Sequence, residues 1–157
     1  MPRYYRRRVV SRGSRDKYSV EQQAGVLEIP GSSQAYATVV PDSAIQGMRK
    51  VKHLTVSLAC DDSSTGNGSP YSYWCLVYVP QGTPVSNMNL TGSSGMYEPN
   101  QFVMNCGVAD FSAGPVRFRS PVSRNLNSGD RIVLLMSNPV TGARQFNYVV
   151  RYAITLQ

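Results

Sequence analysis

The sequence has one histidine, His53, and three cysteines, and neither supply goes far. A single imidazole cannot build a multi-histidine metal centre. Cys60, Cys75 and Cys106 are odd in number and show no Cys-x-x-Cys spacing. That argues against a disulfide framework and a zinc site, and leaves plain buried thiols as the expectation. No apolar run reaches 18 residues, so membrane insertion is not expected. The N-terminus lacks the apolar core of a secretory signal, and the acceptor triplets at Asn67 and Asn89 therefore read as coincidence. Charged residues are scarce as well, 16% of the chain against about 25% in ordinary soluble domains. A surface so weakly charged suits burial in an assembly.

The charge that is present is unevenly placed. The opening stretch MPRYYRRRVVSRGSRDK holds seven basic side chains, Arg3, Arg6, Arg7, Arg8, Arg12, Arg15 and Lys17, against the single acid Asp16. It carries +6 of the chain's +7. Residues 1–17 thus form a basic arm that has too little apolar surface to offset its ordering entropy, and it is expected to be flexible. Residues 18–157 form a nearly neutral body, of a length that suits one domain with a real core. Guanidinium groups are permanently charged and present a planar fork to phosphate oxygens. Tyr4 and Tyr5 add ring faces on which unpaired bases stack, worth about 1–3 kcal/mol per base. Together they read as a segment that binds single-stranded nucleic acid without sequence preference, and the same basic cluster fits a nuclear import signal. Arg49, Lys50 and Lys52 form a second basic group at the start of a strand and are candidates for continuing that surface. Arg117, Arg119 and Arg124 stay unassigned between nucleic-acid contact and pairing with Asp110, Asp130 or another subunit's carboxylate.

Catalysis has little to work with. His53 sits in a strand pattern with no Gly-x-Ser-x-Gly motif or paired carboxylates beside it. The glycines at 66–68 and 92–95 lack the lysine and helix start of a phosphate loop, and Asp61 and Asp62 read as a solvated turn. The chain is therefore expected not to be an enzyme and to need no metal or other cofactor.

Beyond the arm the dominant period is two. In FNYVVRYAITLQ the residues Phe146, Tyr148, Val150, Tyr152, Ile154 and Leu156 share one face, the mark of a half-buried strand, and their buried face predicts an interior place in its sheet. GMRKVKHLTVSLAC alternates through Leu54, Val56 and Leu58, with Lys52, His53 and Thr55 in mixed register. YSYWCLVYVP and DRIVLLMSNP are apolar runs stopped by proline, and weaker strands are expected at 18–29, 34–40, 101–109 and 115–120. The connections are rich in Gly, Ser, Thr and Asn, and the longest, 81–100, is expected to be an exposed surface loop. Eight strands without a convincing helix point to a sandwich or barrel, and eight is the number a jelly roll needs.

The runs RKVKHLTVSL, YWCLVYVPQGT, MYEPNQFVMNCGV, GPVRFRSPVSRNLNSGD and VVRYAITLQ, in that order behind an MPRYYRRR arm, resemble the coat proteins of circovirus-like viruses, the small circular single-stranded DNA viruses that encode their own replication initiator. The resemblance implies a single eight-stranded antiparallel jelly roll, a homo-oligomeric icosahedral shell of 60 copies, and an arm that lies inside the shell on single-stranded DNA. It implies a virion protein that passes through the host nucleus, with a nuclear import receptor and a cell-surface receptor as further partners. Sixty arms of +6 would bring roughly 360 positive charges to the genome, at one phosphate per nucleotide. The arm is shorter and less arginine-dense than those of vertebrate circoviruses. Two other readings compete with this one. A jelly-roll carbohydrate-binding module would need Tyr36, Tyr71, Tyr73, Trp74 and Tyr97 as an exposed aromatic platform, and a cupin-like enzyme would need several histidines.

Overall fold

The computed structural model describes residues 17–61, 70–90 and 102–155. Arm residues 1–16 lie outside them, and so do Asn67, Tyr97 and Leu156. Among the described residues nine strands run in chain order: β1 (Tyr18–Ile29), β2 (Ser33–Val40), β3 (Arg49–Asp61), β4 (Tyr71–Val79), β5 (Val103–Asp110), β6 (Val116–Arg119), β7 (Arg124–Leu126), β8 (Arg131–Asn138) and β9 (Arg144–Thr155). They form two antiparallel sheets. The first has the order β1-β9-β3-β6, with β7 also pairing β3, and the second has the order β2-β8-β4-β5. From β1 to β4 successive strands fall in opposite sheets, β5 pairs with β4 in the second sheet, β6 and β7 return to the first, and the first and last long strands, β1 and β9, lie side by side. This is the jelly-roll winding, and it fulfils the expectation from eight strand-like segments.

The strand β9 sits between β1 and β3, as its alternation requires. Phe146, Tyr148, Val150, Tyr152 and Ile154 are buried, while Asn147, Val149 and Arg151 point outward. Across the sandwich they meet Leu76, Tyr78, Ile132, Leu134 and Met136 from the second sheet. Trp74 belongs to this core, 6% exposed and stacked on Phe118 with ring centroids 3.6 Å apart.

The mixed register of β3 has a definite cause. Val51 and Leu54 are both fully buried although three residues apart, which plain alternation forbids. The pairing of β3 with β9 slips between Lys52 and Thr55, and His53 takes φ 56°, a left-handed conformation, so one extra residue is accommodated as a bulge. The Ser120 N–H donates to the Leu54 carbonyl just past β6.

The apolar runs of β4 and β8 are buried on both faces. Trp74, Leu76 and Tyr78 face the sandwich core, whereas Cys75, Val77 and Val79, with Val133 and Leu135 of β8, lie under the β4–β5 connection through Val85 and Met88. Gln34 fastens this cover: its Nε2 donates to the Met88 carbonyl, and its Oε1 accepts from the Leu90 N–H, each at 2.8 Å. The expectation of an exposed loop over 81–100 holds for Gln81, Gly82, Pro84 and Ser86 and is corrected at Val85 and Met88. Its first half holds a 3₁₀ turn, Val85–Asn87, beside the buried Val85 and Met88, because the outer face of the second sheet is too apolar to leave wet; residues 91–100 lie outside the described residues. The cysteines also depart from expectation. None is in a disulfide, but only Cys75 is buried, Cys60 is half-buried and Cys106 is exposed on β5 directly opposite Cys75. The three-residue β7 was not expected, since a stretch so short shows no period.

Candidate nucleic-acid interface

The outward face of the first sheet is built by register. Lys50 stands beside Asn125, and its N–H donates to Thr155 Oγ1 at 2.8 Å, while Thr155 in turn faces Tyr18. In the next row Lys52 faces Ala153, which faces Val20. Beyond the bulge, Thr55 is flanked by Arg119 on one side and Arg151 on the other, and Ser57 is flanked by Arg117 and Val149. These rows carry five cations at one end of the sheet: Lys50, Lys52, Arg117, Arg119 and Arg151. Their described outward positions hold no carboxylate. The acids of this face are at the far end, where Asp61, Gln145 and Glu28 share a row. That row lies six residues from Thr55, about 20 Å along the strand, beyond the screening length of roughly 8–10 Å at physiological salt. Glu21 is turned to the other side of β1, where its Oε2 accepts from the Tyr152 hydroxyl at 2.7 Å. Burial, and then this bond, hold the Tyr152 hydroxyl proton well above the ordinary range.

The arm joins this face at its cationic end. Lys17 is exposed, and the Nζ of Lys52 lies 3.5 Å from the centroid of the Tyr18 ring, a cation–π contact. Alternation separates the second basic group. Lys50 and Lys52 point outward, whereas Arg49, opposite the buried Leu126, lies on the core side at the rim and donates from Nη2 to the Pro41 carbonyl at 3.1 Å. The other proposed contacts, Arg3, Tyr4, Tyr5, Arg6, Arg7, Arg8, Arg12 and Arg15, lie outside the described residues.

Among the residues left unassigned, Arg117 and Arg119 fall on the cationic face and Arg124 does not. The guanidinium carbon of Arg124 sits 4.1 Å over the Tyr78 ring, next to the hydrogen bond that the Tyr78 hydroxyl donates to Asp130 Oδ2 at 2.7 Å. Arg151 was missed altogether. Its signal was present, because the alternation that buries Val150 and Tyr152 must turn Arg151 outward. His53 is exposed on its bulge, with Nδ1 2.8 Å from Nη2 of Arg119. An open recess of about 250 Å³ lies beside this pair, with Thr55, Arg117, Arg151 and the apolar Val20 and Ala153 in its walls.

Of the aromatics that a carbohydrate module would use, Tyr97 lies outside the described residues and Trp74 is not available for a surface platform. Tyr36, Tyr71 and Tyr73 are each about half exposed on the second sheet, but Trp74 is inside the core. Among the described residues no three His, Cys, Asp or Glu side chains gather as a metal would require, and no helix is long and apolar enough to cross a membrane.

No protein-family model matches the chain, and no curated protein sequence does. Solved structures are similar in shape. The mitogen of Yersinia pseudotuberculosis aligns over 88% of this chain and 86% of its own, at 11% identity and a TM-score of 0.39. A Bacillus endospore appendage protein, from a family of disulfide-linked pili, aligns over 89% and 91%, at 13% identity and a TM-score of 0.37. The decameric BFDV capsid protein aligns over 89% and 98%, at 6% identity and a TM-score of 0.41. The strand order, and not these likenesses, carries the jelly-roll assignment.

Proposed function

We propose that the chain is a viral coat protein whose jelly-roll body closes into a small icosahedral shell of about 60 copies, and whose arm and adjoining sheet face hold single-stranded DNA inside. The observation that carries this reading is the continuity of charge: an arm of +6 enters the fold at the corner where Lys50 and Lys52 stand outward. Around that corner lie Arg117, Arg119 and Arg151, with no outward carboxylate in their rows. Such a surface attracts a phosphate backbone, releases its counterions and has no means of reading sequence. The motif order that resembles circovirus-like coat proteins supports the same conclusion. The work done is physical, and no bond is made or broken.

The arm would also serve as a nuclear import signal, placing the protein in the host nucleus during assembly and in the virion afterwards. Sedimentation and negative-stain microscopy of the purified chain test the proposal. Closed particles that carry nucleic acid are expected; a persistent monomer across salt and pH, with affinity for glycans, would return the chain to the carbohydrate-binding reading.

A further inference from the structure

We propose that Arg119, Arg151 and Arg117, with His53, form a discrete phosphate-binding recess on the outward face of the first sheet, one that takes a phosphodiester of the single-stranded nucleic acid led in by the arm. The inference rests on the coat-protein reading and goes beyond it: it replaces a diffuse basic surface with a built site, and gives a role to a histidine that has no catalytic motif beside it in the sequence.

The partner of Arg119 is the first argument. An exposed arginine is commonly neutralised by a carboxylate, but here Nη2 donates to Nδ1 of His53 at 2.8 Å. A guanidinium has donors only, and this partner carries no carboxylate charge. The contact therefore orients the guanidinium without cancelling its charge, and the remaining N–H groups stay available to an anion.

The bulge is the second. A side-chain-bearing residue adopts φ near 56° rarely, although histidine is among those that tolerate it. Without the extra residue, His53 would occupy an ordinary strand position; with it, Leu54 is returned to the core and the imidazole stands beside Arg119. Bulges recur where a strand must re-aim a side chain at a site.

Convergence is the third. Arg119 and Arg151 flank Thr55 in one row. Two strand spacings put their Cα atoms about 10 Å apart, a span that two arginine side chains can close over one phosphate. Arg117 follows on the same edge strand. Three like charges with no outward carboxylate in their rows repel one another, and a bound anion relieves this. The His53–Arg119 pair lines two recesses, the one of about 250 Å³ shared with Arg117 and Arg151 and a second of about 370 Å³ shared with Ser120 and Pro121. A chain passing over the pair thus has open space beside it for the neighbouring sugars and bases. Nucleic acid is favoured over a sulfated glycan because Val20, two residues into the strand that continues the arm, lines the recess.

The test uses the full-length protein and a fluorescent ten-residue oligodeoxythymidylate, titrated across a salt series. Arg119→Gln combined with Arg151→Gln should weaken binding about tenfold and lower the slope of log affinity against log salt by about 0.7 for each phosphate no longer neutralised. Inorganic phosphate should compete with the oligonucleotide for the native protein and much less for this double variant. His53→Leu should weaken binding as much as Arg119→Gln alone, and His53→Gln, whose amide oxygen can accept from Arg119, should restore binding. A merely structural bulge would make the two His53 variants equal, because both strain the backbone alike, and that result would remove the histidine's role. An arm variant, Arg6→Gln with Arg7→Gln and Arg8→Gln, separates the two readings. Loss of binding in the arm variant with no change in the recess variant overturns the recess and leaves the coat reading standing. Absence of oligonucleotide binding in the native protein overturns both. Recess variants that lose only a sulfated oligosaccharide, and keep the oligonucleotide, overturn the nucleic-acid assignment.

Discussion

The ammonium of Lys52 lies 3.5 Å above the ring of Tyr18, so the first residue of β1 is held against the cationic end of its own sheet. The contact sets where the arm meets the fold. It makes one electrostatic surface of two segments far apart in sequence.

Lys50 and Lys52 should therefore act together with the arm. Lys50→Gln and Lys52→Gln should each weaken oligonucleotide binding uniformly across sequences and reduce the salt slope by about 0.7, the single-strand value for one neutralised phosphate. Arg49→Gln should leave the slope unchanged, because its guanidinium is engaged at the Pro41 carbonyl on the other side of β3. Fluorescence anisotropy at a series of salt concentrations measures all three.

Asp130 should govern acid stability. Burial pushes its carboxyl proton affinity up, but the bonds from the Tyr78 hydroxyl, the Asn127 N–H and the Gln81 N–H outweigh burial, and the pKa falls below the ordinary value. A depressed folded-state pKa gives stability that is present above the unfolded value, about 3.9, and lost as pH falls through the folded one. Thermal melts should show a loss of stability below about pH 4 that is reduced in Asp130→Asn.

Asn138 should be costly to remove. Its buried Nδ2 donates to the carbonyls of Ile29, Pro30 and Gly142, at 3.2, 3.3 and 2.7 Å, tying the β1–β2 turn to the β8–β9 loop. The same corner leaves no space at Gly31, where a Cβ would collide with the Thr141 carbonyl. Asn138→Ala should lower unfolding free energy by about 1–3 kcal/mol, the cost of stranding buried polar groups, measured by denaturant titration.

The facing pair Cys75 and Cys106 should react unequally. Burial, then the neighbouring Cys106, raises the Cys75 thiol pKa to about 12, and the side chain is inaccessible, whereas Cys106 is exposed. Since the thiolate is the reactive form, iodoacetamide at pH 8 should modify Cys106 promptly and Cys75 only on unfolding. Peptide mass mapping over time distinguishes them.

Much of the fold was legible because β9 and β4 wear their burial in their sequence. Period two through Phe146 to Ile154 gave an interior strand with one buried face, and the unbroken run in β4 belongs to a strand covered on both faces. What covers that second face was hidden. Val85 and Met88 sit in a stretch otherwise rich in turn residues, and only the fold brings them over Cys75 and Val77. The candidate interface was half legible. The arm and Lys50 and Lys52 are clusters in sequence, but Arg119 and Arg151 are 32 residues apart and become neighbours only through their shared partner Thr55. The bulge at His53 left a trace in the broken alternation of β3, and its direction was set by tertiary packing.

The most direct test of the coat-protein account compares the full chain with one lacking residues 2–15, measuring particle yield by sedimentation and nucleic-acid content by the ratio of absorbance at two ultraviolet wavelengths. On the coat-protein proposal subunit contacts belong to the body, and the arm carries +6 of the net charge of +7. The truncated chain should therefore still fold and give particles with little DNA. Particles with undiminished DNA and an unchanged salt slope for oligonucleotide binding would contradict the account.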